Sequence, residues 1–123
     1  MFKVDIYVNS NGESELLSLI SKLQEKKNTS KDARIKYEKI IHYVKLLEAY
    51  GTNLSEINCK HIENEIWELR PGKYRILFAH DEIKHKYILL NYFIKKTNKT
   101  PKSEIIKANK MFKDYYWRSY EIQ

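Results

Sequence analysis

Midway along this chain the apolar residues switch period from about 3.6 to 2, and that switch limits the fold more than any other feature. Leu16, Leu19, Ile20 and Leu23, and then Ala33, Tyr37, Ile40, Ile41, Val44 and Leu47, recur at helical spacing. Beyond residue 64 the pattern turns to short alternating or wholly apolar runs bounded by turn residues. Two amphipathic helices followed by a run of strands make an α+β chain.

The boundaries follow from local chemistry. Phe2, Val4, Ile6 and Val8 alternate with Lys3, Asp5 and Tyr7, which predicts an opening strand buried on one face. Ser10-Asn11-Gly12-Glu13 has capping-box spacing and starts a first helix running to about Lys27. Ser30 caps a second helix that ends at Gly51, so the pair forms an αα-hairpin. Residues 52–64 read as an irregular connection. Residues 65–70, 73–80 and 85–94 read as an antiparallel meander turning at Pro71-Gly72 and around Asp81-Glu82. Its last strand is apolar at nearly every position from Tyr87 to Ile94, which places it inside the sheet. Thr100 as N-cap and Pro101 at the first helical position open a third helix along Ile105, Ala108, Phe112 and Tyr115. The expected order is β-α-α-β-β-β-α, in one domain spanning residues 1–123.

Charge and composition narrow the function. The net charge is +7. Thirteen basic against eight acidic residues fall in 63–123, and ten against eight in 1–62, so the excess lies in the strand-rich half. A basic surface attracts polyanions, although the same excess also serves solubility. Cys59 is the single cysteine, which excludes an intrachain disulfide and a zinc knuckle and fits a reducing cytoplasm. The N-terminus, with Lys3 and Asp5 in its first apolar stretch, is unlike a signal peptide, and no run approaches the ~20 apolar residues of a membrane span. The four histidines, at 42, 61, 80 and 85, lack metal-pair spacing, and the three glycines stand far apart, so neither a metal nor a nucleotide cofactor is expected.

Two segments gather the groups that can do chemistry. If the first hairpin is centred on Pro71-Gly72, Glu68 lies opposite Arg75 and Arg70 opposite Lys73, all on one face of the sheet. Alone, this is also the pattern of a solvated cross-strand ion pair. Lys95, Lys96, Lys99 and Lys102 then stand together, with no acid among them, where the last strand hands over to the third helix. Such a run is either a solvated loop or, with the amides of a helix start, an anion site. Tyr115, Tyr116, Trp117 and Tyr120 crowd the C-terminal end, where they pack the helix or stack on bases.

Glu68-Leu69-Arg70, Tyr74-Arg75, Phe93-Ile94-Lys95-Lys96-Thr97 and Lys99-Thr100-Pro101, with Glu104-Ile105 and Ala108, resemble in order and spacing the signature of the HigB branch, also called phage Gp49-like, of the RelE superfamily of bacterial toxins. The resemblance implies a RelE-like fold, a small twisted and mainly antiparallel sheet with an N-terminal αα-hairpin and a C-terminal helix. It also implies a ribosome-dependent endoribonuclease, or mRNA interferase, that cuts translated mRNA in the cytoplasm. Such a toxin is neutralised by a helix-turn-helix antitoxin, HigA-like, in what would be a heterotetramer, with no membrane partner.

On that footing Arg75, Arg70, Glu68, Lys95 and Lys96 are the expected catalytic group. The cations answer the charge that builds on a phosphate under attack by the ribose 2′-hydroxyl. Glu68 serves either as a base or to orient Arg75. Lys73, Tyr74, Lys99 and Lys102 are the expected RNA and ribosome contacts. Better-known RelE members place lysines on the strand before the hairpin and an aromatic acid–base group late in the chain. Here those strand positions hold Ile66 and Glu68 and no late tyrosine or histidine matches, which leaves the proton-transfer residues unassigned. The other class these residues fit is a noncatalytic RNA-binding or antitoxin-docking protein with a decayed active site.

Overall fold

A computed structural model describes residues 1–121, with side chains through Ser119. Its elements are β1 (Lys3–Ile6), α1 (Glu15–Lys26), α2 (Lys31–Tyr50), a short 3₁₀ turn, β2 (Cys59–Glu63), β3 (Ile66–Leu69), β4 (Tyr74–Asp81), β5 (Lys86–Ile94) and α3 (Lys102–Glu121). The five strands form one sheet in the order β1-β5-β4-β3-β2. Every pair is antiparallel except β1 with β5, and β5 lies inside the sheet, as its apolar run predicts.

The helical hairpin forms where its caps direct it. Ser30 Oγ accepts from the Ala33 amide at 3.2 Å, and the Gly51 amide donates to the Leu47 carbonyl. Gly51 has φ +60°, and a Cβ there would lie 2.6 Å from the Tyr87 hydroxyl and 2.8 Å from Phe2, so only glycine fits between helix and sheet. The cap of α1 is Ser14, not the predicted Ser10: Ser14 Oγ accepts from the Leu17 amide. The four residues before it are instead wound into a turn whose Asn11 and Glu13 amides donate to Asn9 Oδ1.

Side chains leave both faces of the sheet, and both are covered. Leu69, Tyr74, Ile76, Phe78, Tyr87 and Leu89 pack with Leu16, Leu23, Ile40 and Leu47 of the helical hairpin. Ile66, Leu77, Ala79, Ile88 and Leu90 pack under Ala108, with Met111, Phe112 and Tyr115 of α3 beside them. The opening strand therefore differs from its predicted one-sided burial. Phe2, Val4 and Ile6 meet the hairpin core, while Asp5 and Tyr7 turn toward α3 and bond to Tyr115 and Asp114.

Two further corrections concern the meander. Residues 59–63 form an edge strand, β2, within the segment expected to be irregular. It carries a bulge between His61 and Glu63 and exposes Lys60, His61 and Glu63, so no alternation marks it. The first hairpin pairs Glu68 with Leu77 and Leu69 with Ile76, a two-residue slip from the predicted register. Its loop is four residues long, 70–73, closed by the Tyr74 amide donating to the Pro71 carbonyl, while the Arg70 amide extends the β3–β2 pairing to the Asn58 carbonyl. A slip of two leaves every side chain on its original face. Arg70 and Lys73 consequently do not pair across the turn.

Candidate active site

The α3 face of the sheet is apolar under the middle of the helix and ionic toward the helix start. Glu68, on β3, and Arg75, on β4, lie on this face beside Leu77, and the residue-95-to-100 loop passes in front of them. Together with Lys60, Arg70, Phe93, Lys95 and Lys99 they line a cleft of about 250 Å³. That is below the ~300–1,000 Å³ of a typical small-molecule site, so the cleft suits one point on a larger anion better than an entire small ligand.

Glu68 is the hub. It is only 2% exposed, and a buried carboxylate needs partners to offset lost hydration. Arg70 Nε donates to its Oε1 at 3.0 Å, the Thr100 hydroxyl donates to its Oε2 at 2.6 Å, and Arg75 Nε stands 3.9 Å from Oε1. Arg70 is further anchored by the Glu56 carbonyl at 3.0 Å. Arg75 Nη1 donates to the carbonyls of Gly72 and Tyr74, both at 2.8 Å, which leaves Nη2 without a partner among the described residues. Burial lowers the Arg75 pKa below the usual guanidinium value against the pull of Glu68, and Arg70 adds to the lowering. The group stays protonated, and a partly desolvated cation attracts an incoming phosphate more strongly than a hydrated one.

Five cations, Lys60, Arg70, Arg75, Lys95 and Lys99, thus surround one carboxylate whose two oxygens are both occupied. The ammonium groups of Lys60, Lys95 and Lys99 have no hydrogen-bond or ion-pair partner among the described residues, and all three residues are exposed. Net positive charge, the unpartnered Nη2 of a fixed guanidinium and three exposed ammonium groups are the chemistry that can hold a phosphodiester.

The residues expected at the site are only partly brought together. Arg75, Arg70, Glu68, Lys95 and Lys99 share the cleft. Lys96 points into a neighbouring hollow with Tyr92, Pro101 and Glu104. Lys73 and Tyr74 line a third hollow against α2, where the Tyr74 ring is buried edge-on to Tyr92 at 5.9 Å. Lys102 is exposed at the start of α3.

Two contributors escaped the sequence reading. Lys60 comes from the unforeseen edge strand. Thr100, read as a helix cap, instead spends its hydroxyl on Glu68, while the Pro101 carbonyl accepts the first helical bond from Ile105. Thr100→Val is therefore expected to cost about 1–3 kcal/mol in urea denaturation, by stripping a buried carboxylate oxygen of its donor. A change below about 0.5 kcal/mol, the usual range for surface substitutions, would show that the bond holds nothing in place.

No histidine or tyrosine is among the residues lining the cleft. His61 Nε2 bonds to the Asn64 carbonyl and His80 stacks on Tyr87, both elsewhere. Cys59 lies behind the cleft with its thiol pushed up to about 12 by burial, too protonated to act as a nucleophile at neutral pH. Of the C-terminal aromatics, Tyr115 bonds to Asp5 and Trp117 is exposed; the side chain of Tyr120 lies outside the described residues.

A family model described as phage-derived protein Gp49-like matches residues 27–113, a span that contains every residue of the cleft. The chain belongs to the Gp49-like family. Among solved structures, this Gp49-like protein is similar to a chain of the archaeal RelE–RelB complex from Pyrococcus horikoshii OT3. The TM-score is 0.53 and the identity 14%, over 77% of this chain and 96% of that one. At that identity the likeness shows the fold alone, which is RelE-like. No curated protein sequence matches significantly. Among the described residues, no helix of the Gp49-like chain is long and apolar enough to cross a membrane.

Proposed function

We propose that this protein is the toxin of a toxin–antitoxin pair, a ribosome-dependent endoribonuclease that cleaves mRNA during translation in the cytoplasm. The observation that carries this reading is the cleft itself, five cations arranged around a buried, fully engaged carboxylate. The Gp49-like family and the RelE-like fold support it.

In this mechanism the phosphate of the scissile bond sits against Arg75, with Lys95 and Lys99 closing over it. The 2′-oxygen attacks phosphorus as its proton passes to water, the bond from phosphorus to the 5′-oxygen breaks, and that oxygen takes a proton from water, leaving a 2′,3′-cyclic phosphate and a 5′-hydroxyl. Charge rises on the nonbridging oxygens in between, and a preorganised guanidinium meets it without having to reorganise. Glu68 orients Arg70 and Thr100 and is not the base. The ribosome supplies the remaining geometry, which fits a site this small and this poor in acid–base groups. The partner is a helix-turn-helix, HigA-like antitoxin encoded beside it, assembled with it as a heterotetramer.

A noncatalytic RNA binder is the second reading, favoured by the engagement of both Glu68 oxygens, which leaves no lining carboxylate free to move a proton. Expression of the chain alone is expected to arrest growth, and coexpression of the adjacent helix-turn-helix frame to restore it. Unimpeded growth at full expression would contradict the toxin reading.

A further inference from the structure

A groove of about 350 Å³ lies between α2 and the 71–74 turn, against the hairpin loop's other side. Its lining is aliphatic: Ile35 and Ile94 are 51% and 54% exposed, Pro71 is buried at its base, and the stem of Lys39 runs beside Gly72. Exposed apolar side chains grouped in a concavity mark a contact surface more often than scattered ones do. Its rim is basic. Lys36 is paired with Asp32 at 2.9 Å, whereas Lys39 and Lys73 have no hydrogen-bond or ion-pair partner among the described residues.

We propose that this groove docks an acidic segment of a protein partner, one that inserts large apolar side chains between Ile35 and Ile94 and sets carboxylates against Lys39 and Lys73. Charge complementarity selects the acid, and the aliphatic floor selects a peptide over a nucleic acid. Bases stack on aromatic faces, and the one aromatic ring here, Tyr74, is buried. The site is separate from the cleft but shares its loop: the Gly72 carbonyl that holds Arg75 and the Lys73 carbonyl that accepts from the Lys95 amide both belong to the groove's wall. A partner seated here touches the support of two cleft cations while leaving the cleft open. This proposal does not depend on the toxin reading, and its test has no cleavage readout.

The probes are three peptides of one length, alternating Glu with Leu, Lys with Leu, and Glu with Ser, together with a short single-stranded RNA. Each is titrated against the purified chain with its isoleucine methyl groups labelled for NMR. The Glu/Leu peptide is expected to shift the Ile35 and Ile94 methyl resonances and to lose about tenfold or more in affinity on Ile35→Asp or on Lys39→Glu, substitutions at surface positions that leave the fold intact. Failure of the Glu/Leu peptide to shift those resonances would overturn the proposal. So would shifts of equal size with either of the other peptides or with the RNA.

Discussion

Arg75→Ala is expected to leave the protein folded and to remove its toxicity. The guanidinium is the one cation of the cleft fixed on two backbone carbonyls, so it is in place before substrate arrives. Removing one preorganised charge-stabilising donor typically lowers a chemical rate by about 10²–10³-fold. The structural cost is modest, about 1–3 kcal/mol for the two lost hydrogen bonds, because Glu68 keeps Arg70 and Thr100. Growth arrest and mRNA cleavage on induction, with circular dichroism as the fold control, check this. A folded, fully toxic Arg75→Ala protein would remove Arg75 from the active site.

Adjacent lysines are expected to behave oppositely. Lys95 lines the cleft and Lys96 does not. Lys95→Ala should lower single-turnover cleavage by roughly 10²-fold with little change in ribosome affinity, since only an interaction that strengthens in the transition state raises the chemical rate. Lys96→Ala should weaken ribosome binding and flatten its salt dependence by about one unit of slope, leaving cleavage of bound message intact. Single-turnover rates and salt-dependent binding of both variants decide the matter. Loss confined to binding in Lys95→Ala would favour the noncatalytic reader of RNA.

The sequence made the layers of this fold legible because they rest on periodicity. The two helices, the sheet and the interior place of β5 follow from which residues are apolar and how far apart they stand. Pairing was harder. The hairpin register depends on loop length, and Arg70 extends the pairing of β3 on its β2 side, to Asn58, instead of pairing with Lys73; β2 itself was hidden by its bulge and exposed face.

Glu68 and Arg75 still share a face, because a two-residue slip preserves side-chain direction. The closest ionic partner of Glu68 nevertheless turned out to be Arg70. Thr100 on Glu68 joins residues 32 apart, and no local pattern reports such a contact. The separation of Lys95 from Lys96 was readable in principle. Consecutive residues leaving a strand point to opposite sides, so the run of charge does not act as one cluster.

Cleavage of one message by the purified protein in reconstituted translation tests the central claim most directly. The 5′ ends of the products are mapped with the start codon intact, with the start codon destroyed, and with ribosomes omitted. New ends are expected only on the translated message, and none on the same RNA naked or untranslated. Equal cleavage of all three would contradict ribosome dependence, and an intact message under active translation would contradict the endoribonuclease itself.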